Sequence, residues 1–266
     1  MSLQNLAIAF FKPFAGKKQF HSAFFALFKI GMHGMNFNKG GDVYSSGEAL
    51  TLNYAKRRIG REDIIAFDVG ANVGNYADLL LKELGQEGAI YSLEPMSDTF
   101  EVLKKRFAEA SNVKTFKLGF SDTAGTAPIF SNHDTSTFAS LHDRQLDHIG
   151  VEMQEYDEVN LETIDAFCRE EKIDRIDFLK IDVEGHELAA LKGAKNMLES
   201  GNIKFIQFEM GPTSIDSRVF FRDFWNLLNE QYSLYRILQN GLFPIDQYNE
   251  DYEIFKNMNY LAELKS

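Results

Sequence analysis

The stretch DIIAFDVGANVGNY, Asp63–Tyr76, decides how the rest of the chain reads. An apolar run, Ile64–Phe67, ends on Asp68, and Gly70 and Gly74 then bracket Ala71, Asn72 and Val73. Asn75 follows, and Tyr76, Leu79, Leu80 and Leu84 fall on one helical stripe. Strand, glycine turn and helix together open a nucleotide-binding α/β unit. Gly70 lets the chain turn without a Cβ penalty and lets a ligand lie against the backbone. The first helical turn leaves N–H groups unpaired by the helix itself.

The turn is D-x-G-x-x-x-G, with Asn72 where a dinucleotide fingerprint needs its second glycine. A pyrophosphate has to touch the backbone at that glycine, so nicotinamide and flavin cofactors are disfavoured. An acid just before the turn suits a cationic group, such as an ammonium or a sulfonium. The next apolar run, Ala89–Leu93, leads into Glu94, twenty residues after Gly74. A carboxylate there can accept both hydroxyls of a ribose. These demands match S-adenosylmethionine.

Five segments in order carry a family resemblance: DVGANVGNY at 68–76, EP at 94–95, SD at 121–122, LKIDVEGHE at 179–187 and FE at 208–209. Together they resemble the FkbM-type methyltransferases, class I enzymes that use S-adenosylmethionine and usually methylate hydroxyl oxygens. The resemblance spans about residues 60–210. It implies a seven-stranded Rossmann-like sheet whose final two strands form an antiparallel edge hairpin. It also implies that Ser121 and Asp122 border the adenine, and that the small-Gly-Glu step Ser46–Gly47–Glu48 borders the cofactor. A turn in which Asp122 bonds its own backbone is the plainer reading of that residue.

Working outward, strands are expected at 64–68, 89–94, 114–119, 176–182 and 203–209, and helices at 75–84, 97–110, 161–171 and 186–200. This alternation predicts a doubly wound, mostly parallel sheet. Residues 121–160 are polar, lack a core pattern and are expected to hold part of the acceptor pocket. A helix over 219–230 precedes a hairpin, Tyr232–Leu238 and Leu242–Ile245, turned at Asn240–Gly241. A last strand is expected at 260–264. Ahead of the core, Phe20, Phe24, Leu27 and Phe28 repeat at helical spacing, Gly31–Gly41 reads as a loop, and a helix covers Ala49–Arg58. The expected division is a helical N-terminal extension or lid over 1–58 and a catalytic domain over 59–266. The aromatic extension suggests a helix packed on the domain, with a lid, a homo-oligomer contact or a membrane-surface attachment as sharper alternatives.

Ligands of open α/β sheets sit at the carboxyl ends of the strands. Four strands here end in an acid: Asp68, Glu94, Asp182 and Glu209. Asp68, Gly70, Asn72, Gly74, Asn75, Glu94, Ser121, Asp122 and Asp182 form the expected cofactor set. Lys180, Asp182, Glu184, His186 and Glu209 form the expected catalytic set. In an extended strand Lys180, Asp182 and Glu184 share one face, and a buried lysine demands a carboxylate partner. His186 titrates near neutrality and could act as a base. The resembled family more often has a small residue there, which favours a first-turn histidine without a chemical role. No metal is assigned, although Asp182, Glu184 and Glu209 could offer oxygens to Mg²⁺ as a secondary reading. His133, Asp134, His142, Asp143 and His148 follow no zinc spacing.

The chain has 266 residues and a formal net charge of −11, which argues against a nucleic acid partner and against anionic lipid. A single cysteine, Cys168, rules out an intrachain disulfide and fits a cytoplasmic location. No apolar run is long enough for a membrane span, and no secretory signal is visible. The expected activity is O-methylation of a small hydroxylated acceptor. Sugars or sugar-containing and secondary-metabolite precursors come first, on the resemblance alone. A non-catalytic cofactor-binding Rossmann-like domain is the alternative, and a nicotinamide oxidoreductase ranks below it.

Overall fold

The structure, a computed structural model, describes residues 3–37, 42–132 and 138–265. It divides into two compact units, Met1–Asn38 and Lys39–Ser266, so the boundary falls well before the expected one at residue 58. The reason is helix α3 (Glu48–Ile59), whose Ala49, Leu52 and Ala55 are buried in the main core of the second unit. The first unit holds α1 (Leu3–Phe11) and α2 (His21–Gly34). Helix α2 runs through Gly31 to Gly34, where a loop was expected, and the rest of that expected loop is only partly described.

In the second unit, β1 (Ile65–Val69), β2 (Ala89–Leu93), β3 (Val113–Phe116), β7 (Ile176–Ile181) and β8 (Ile203–Met210) are parallel neighbours in the order β8-β7-β1-β2-β3. Antiparallel strands β11 (Met258–Leu264), β9 (Tyr232–Leu238) and β10 (Gly241–Ile245) extend it beyond β8. Among the described residues the sheet therefore has eight strands, where seven were expected. The edge hairpin is β9–β10, turned at the expected Asn240–Gly241, and the last strand lies inside it, between β9 and β8.

Side-chain alternation along the buried strands loads both faces of the sheet. Ala66 joins the core beneath α3 and α4 (Asn75–Leu84), with Leu79, Leu80 and Phe178. Phe67 points the other way, edge-on to Phe167 of α6 (Ile164–Glu171), which also meets Tyr91, Phe116 and Phe120. Helix α6 starts where Thr163 accepts a bond from the Ala166 amide, so residues 161 and 162, expected as helix, end a strand instead. Helix α5 (Ser97–Arg106) contributes Leu103 to the α4 side. The helix expected over 186–200 is broken into α7 (Glu187–Lys192) and α8 (Lys195–Glu199). At the break, a Cβ on Gly193 would lie 2.1 Å from the Ser121 carbonyl oxygen.

Residues 121–160 are not patternless. They contain β5 (Gly125–Ser131) and most of β6 (Gln154–Glu162), which pair antiparallel and form a second sheet with β4 (Gly119–Phe120). Ile129 and Val159 bury against Met96, a core small enough to leave most of the strand residues polar. After β8 come α9 (Thr213–Ser217) and α10 (Phe221–Leu228); Phe224 of α10 stacks on Phe208 at 4.5 Å.

Candidate active site

The carboxyl ends of β1, β2 and β7 open into a cavity of about 650 Å³. Its floor is the glycine turn. Gly70 has φ +79, and a Cβ there would lie 1.9 Å from the Asp182 carbonyl oxygen, so the turn after β1 is wedged against the end of β7. Gly74 has φ +90, and a Cβ would strike the Phe107 ring at 2.4 Å. The non-glycine turn residue Asn72 also has a positive φ, 50°, and asparagine tolerates that region best after glycine.

The amides of this turn are already engaged. The Gly70 and Ala71 N–H groups donate to the Leu93 carbonyl at 3.0 and 2.9 Å, and that of Gly74 donates to the Ala71 carbonyl at 2.8 Å. Asn72 N–H donates to Glu94 Oε2 at 2.9 Å, and Val73 N–H to Asn72 Oδ1 at 2.7 Å. A phosphate-cradling loop points such amides at the ligand; this one closes them on the protein. Glu94 is thereby fixed twice, since Oε1 accepts from the Met96 N–H at 3.0 Å. Burial pushes its carboxyl up to about 7 despite those two donors. Asn75 lines the cavity at the start of α4, where Arg106 holds its Oδ1 at 2.9 Å.

Beneath the cavity a polar row crosses the sheet. The registers Ser92↔Asp68, Asp68↔Lys180 and Lys180↔Gln207 place four buried polar side chains in line on β2, β1, β7 and β8. Lys180 Nζ lies 3.5 Å from Asp68 Oδ1 and 3.3 Å from Asp182 Oδ2, and 4.8 Å from the centre of the Tyr76 ring. Burial works against its charge, but Asp182, Asp68 and Glu48 outweigh burial and hold it above the usual lysine range. Gln207 accepts from the Tyr76 hydroxyl at 3.1 Å and donates to Glu48 at 2.7 Å; Glu48 also accepts from Ser46 at 2.8 Å. Asp68 was expected to face a ligand. Instead it is 0 % exposed and lies behind the cavity wall, where burial raises its carboxyl and Lys180 opposes that. The longer Lys180, its cross-strand neighbour, reaches the wall in its place.

The far wall is acidic. Strand β7 ends at Ile181, and Glu184 sits in the following turn with φ 51, so Lys180, Asp182 and Glu184 do not share an extended face as expected. They converge all the same. Oxygens of Asp182, Glu184 and Glu209 all lie within 4.8 Å of one another, a spacing able to hold a metal ion. Glu184 accepts from Arg144 Nη1 at 3.2 Å; burial and Asp182 push its carboxyl up to about 8 against that pairing. Burial, then Asp182 and Glu184, drive Glu209 well above the carboxylate range. Glu187 accepts from the Val183 and Gly185 amides at 3.0 Å and is pushed up to about 7 by burial.

His186 lines the cavity, and its Nε2 lies 2.9 Å from Ser121 Oγ. Burial, helped by neighbouring His142, lowers it to about 4, so it is neutral near pH 7. Ser121 and Asp122 do not line the cavity, whereas the adjoining Gly119 and Phe120 do. The segment expected to help form an acceptor pocket supplies Ile129, Ala139, Ser140 and Leu141 to the wall. His133 and Asp134 lie outside the described residues. Among the described residues, His142, Asp143 and His148 form no metal-binding group. Ser140, on the wall, ties its Oγ to the Glu184 carbonyl at 2.7 Å, and Arg144, which had no sequence signal of its own and does not line the cavity, reaches Glu184 at 3.2 Å.

The chain is 30% identical over 158 residues to the hexuronic acid methyltransferase AglP of Haloferax volcanii, covering 56% of this chain and 58% of that protein. It is 30% identical over 152 residues to the methyltransferase sdnD of Sordaria araneosa, covering 47% of this chain and 58% of that protein. Among solved structures, a TehB-like SAM-dependent methyltransferase from Corynebacterium glutamicum aligns over 92% of this chain and 98% of its own, at 13% identity and a TM-score of 0.41. The methyltransferase FkbM domain model matches residues 68–236, more than half of the sequence, and the chain belongs to that family.

Proposed function

We propose that this protein methylates a hydroxyl group of a small acceptor, a sugar or a sugar-containing or secondary-metabolite precursor, with S-adenosylmethionine as methyl donor. One observation carries the choice of donor: the glycine-turn amides are all bonded within the protein, while Glu48, Glu94, Asp182 and Glu184 line the cavity. A wall of acids with no free turn amide repels a pyrophosphate and suits a ligand with an ammonium, a sulfonium and ribose hydroxyls. Among the described wall residues Lys180 supplies the cationic group, already paired with Asp68 and Asp182.

In this reading Glu94 accepts the ribose hydroxyls, Gly70, Asn72 and Asn75 form the floor on which the donor lies, and Gly74, outside the lining, lets that floor pack against Phe107. Bound S-adenosylmethionine supplies a methyl group on a positively charged sulfur, which departs as a neutral thioether. The chain must align the acceptor oxygen with that methyl group and take the hydroxyl proton. Asp182, whose Oδ2 lies 3.3 Å from Lys180 Nζ, orients the hydroxyl and accepts its proton, with Glu184 and Glu209 at its side. Asp68 and Lys180 act through Asp182 and are positioning residues. The same three carboxylates would hold a divalent ion if the reaction used one, and the ion would then acidify the hydroxyl.

A hydroxyl acceptor and a sugar are supported by family membership and by the name of the 30% identical Haloferax relative. The matched stretch spans little more than half of each relative's length, which is why substrate and activity stand here as the proposal. The test is incubation with S-adenosylmethionine and a panel of free and glycosidic sugars, uronic acids and polyol secondary metabolites, with and without Mg²⁺. Mass spectrometry should find one added methyl on an acceptor oxygen. Donor binding with no transfer to any acceptor would favour the non-catalytic reading.

A further inference from the structure

The unit of residues 1–38 differs in kind from the rest of the chain. Four of the 28 Lys and Arg fall in it, Lys12, Lys17, Lys18 and Lys29, and none of the 39 Asp and Glu. It therefore carries +4, and the remaining chain −15. It also holds eight of the 24 phenylalanines.

Taken by itself, this unit buries Phe37 but leaves most of its large apolar side chains uncovered. Phe10 is 70% exposed, Ile30 67% and Phe28 54%, and Leu6, Ile8, Phe25 and Leu27 are exposed as well. No residue of α2 is buried. The two helices touch edge-to-face through Phe11 and Phe24 at 5.8 Å, and Phe14 meets Phe20 at 5.1 Å across the link. All four lysines are exposed, and Lys29 Nζ lies 4.7 Å from the centre of the Phe25 ring. So many exposed large apolar side chains on two short helices mark an interaction site.

We propose that this helical unit docks on a membrane surface bearing anionic lipid headgroups. Its exposed phenylalanines, leucines and isoleucines enter the boundary between headgroups and acyl chains, and its lysines lie among the lipid phosphates. Helices of 9 and 14 residues are too short to cross a bilayer, and no described helix is long and apolar enough to do so. Short, aromatic, lysine-bearing helices instead lie in the interface, with lysine stems along the apolar surface and ammonium groups in the headgroup layer. A second copy of this unit is a poor cover, because it would bring four more lysines and no acid against the first four. The whole-chain charge of −11 had argued against anionic lipid; its distribution reverses that argument for this unit.

The test is flotation of the full chain with two kinds of vesicle, phosphatidylcholine alone and phosphatidylcholine with phosphatidylglycerol in equal parts. The chain should rise with the mixed vesicles, much less with the neutral ones, and be released by added salt. Full-length F25D/F28D should stay at the bottom. Reversing lysines in K12E/K17E/K18E/K29E should lower partition about fivefold or more per lysine. Thermal unfolding and solution mass of both variants, measured alongside, should match the parent. A chain that stays at the bottom with both vesicles would overturn the proposal. So would a parent dimer that F25D/F28D converts to monomer without any vesicle binding, or flotation undiminished by either variant.

Discussion

The two walls of the strand-end cavity are built on opposite plans. The glycine-turn wall is closed: its amides are bonded within the chain, Glu94 is held by two donors, and Gly70 touches the end of β7. The wall after β7 is loaded: Asp182 and Glu184 line it, Glu209 of β8 stands within 4.8 Å of both, and Glu184 and Glu209 have raised carboxyls. The difference teaches where rigidity ends and chemistry begins. A closed wall presents one fixed shape to a ligand. A crowded acidic wall is relieved only by protons or by a positive charge, so its state depends on pH and on what is bound.

The comparison breaks most severely at the contact that joins the walls. Gly70→Ala places a methyl group 1.9 Å from the Asp182 carbonyl oxygen at a left-handed φ. It should destabilise the protein by roughly 3 kcal/mol or more, read from urea unfolding, and abolish donor binding. Next comes the charge row beneath. Asp68→Ala leaves buried Lys180 with Asp182 as its one close ion-pair partner among the described residues. A loss of about 3 kcal/mol is expected from denaturant titration, with weakened donor binding as a consequence of displaced Lys180.

Asp182→Asn sharpens the contrast between the walls. Donor affinity should stay within a few-fold by calorimetry, while methyl transfer falls about a hundredfold or more, the usual contribution of a positioned base. Full turnover by this variant would remove Asp182 from the chemistry and leave Glu184 and Glu209 as candidates. The smallest effect is that of pH on the unliganded protein. Glu94 and Glu187 are raised to about 7 and Glu184 to about 8, all from 4.5. As pH rises the unfolded chain gives up these protons first, so the native state holds more of them between about pH 4.5 and 8. Unliganded stability should therefore fall as pH rises through that window, and Glu184→Gln should flatten the fall. Unfolding midpoints at several pH values check both.

The position of the glycine-turn wall was legible in the sequence because its geometry is local, whereas the closure of its amides on Leu93 and Glu94 was not. Asp68 to Asn75 are contiguous, glycine has few reasons to recur at that spacing, and Glu94 follows the very next strand. The parallel sheet was legible for the same reason: β1, β2, β7 and β8 are short apolar runs separated by helical stripes. What sequence could not give was set by partners far along the chain. Asp68 looked like a ligand contact until the register put Lys180 beside it. Strand β6 reads as polar because its face covers a core of only three buried residues. Arg144 carried no signal, since its partners Glu184 and Asp216 lie on other elements. The N-terminal helices were visible from their phenylalanines, yet averaging charge over the whole chain concealed that this unit alone is basic.

On the reading proposed above, the cavity takes a cationic nucleoside donor and not a dinucleotide. Calorimetric titration of the full chain with S-adenosylmethionine, S-adenosylhomocysteine and NAD⁺ tests it most directly. The first two should bind, more tightly as pH rises from about 6 to 8 while the wall carboxylates ionise, and NAD⁺ should give no heat. Binding of NAD⁺, or silence toward S-adenosylmethionine by the folded protein with and without Mg²⁺, would contradict it.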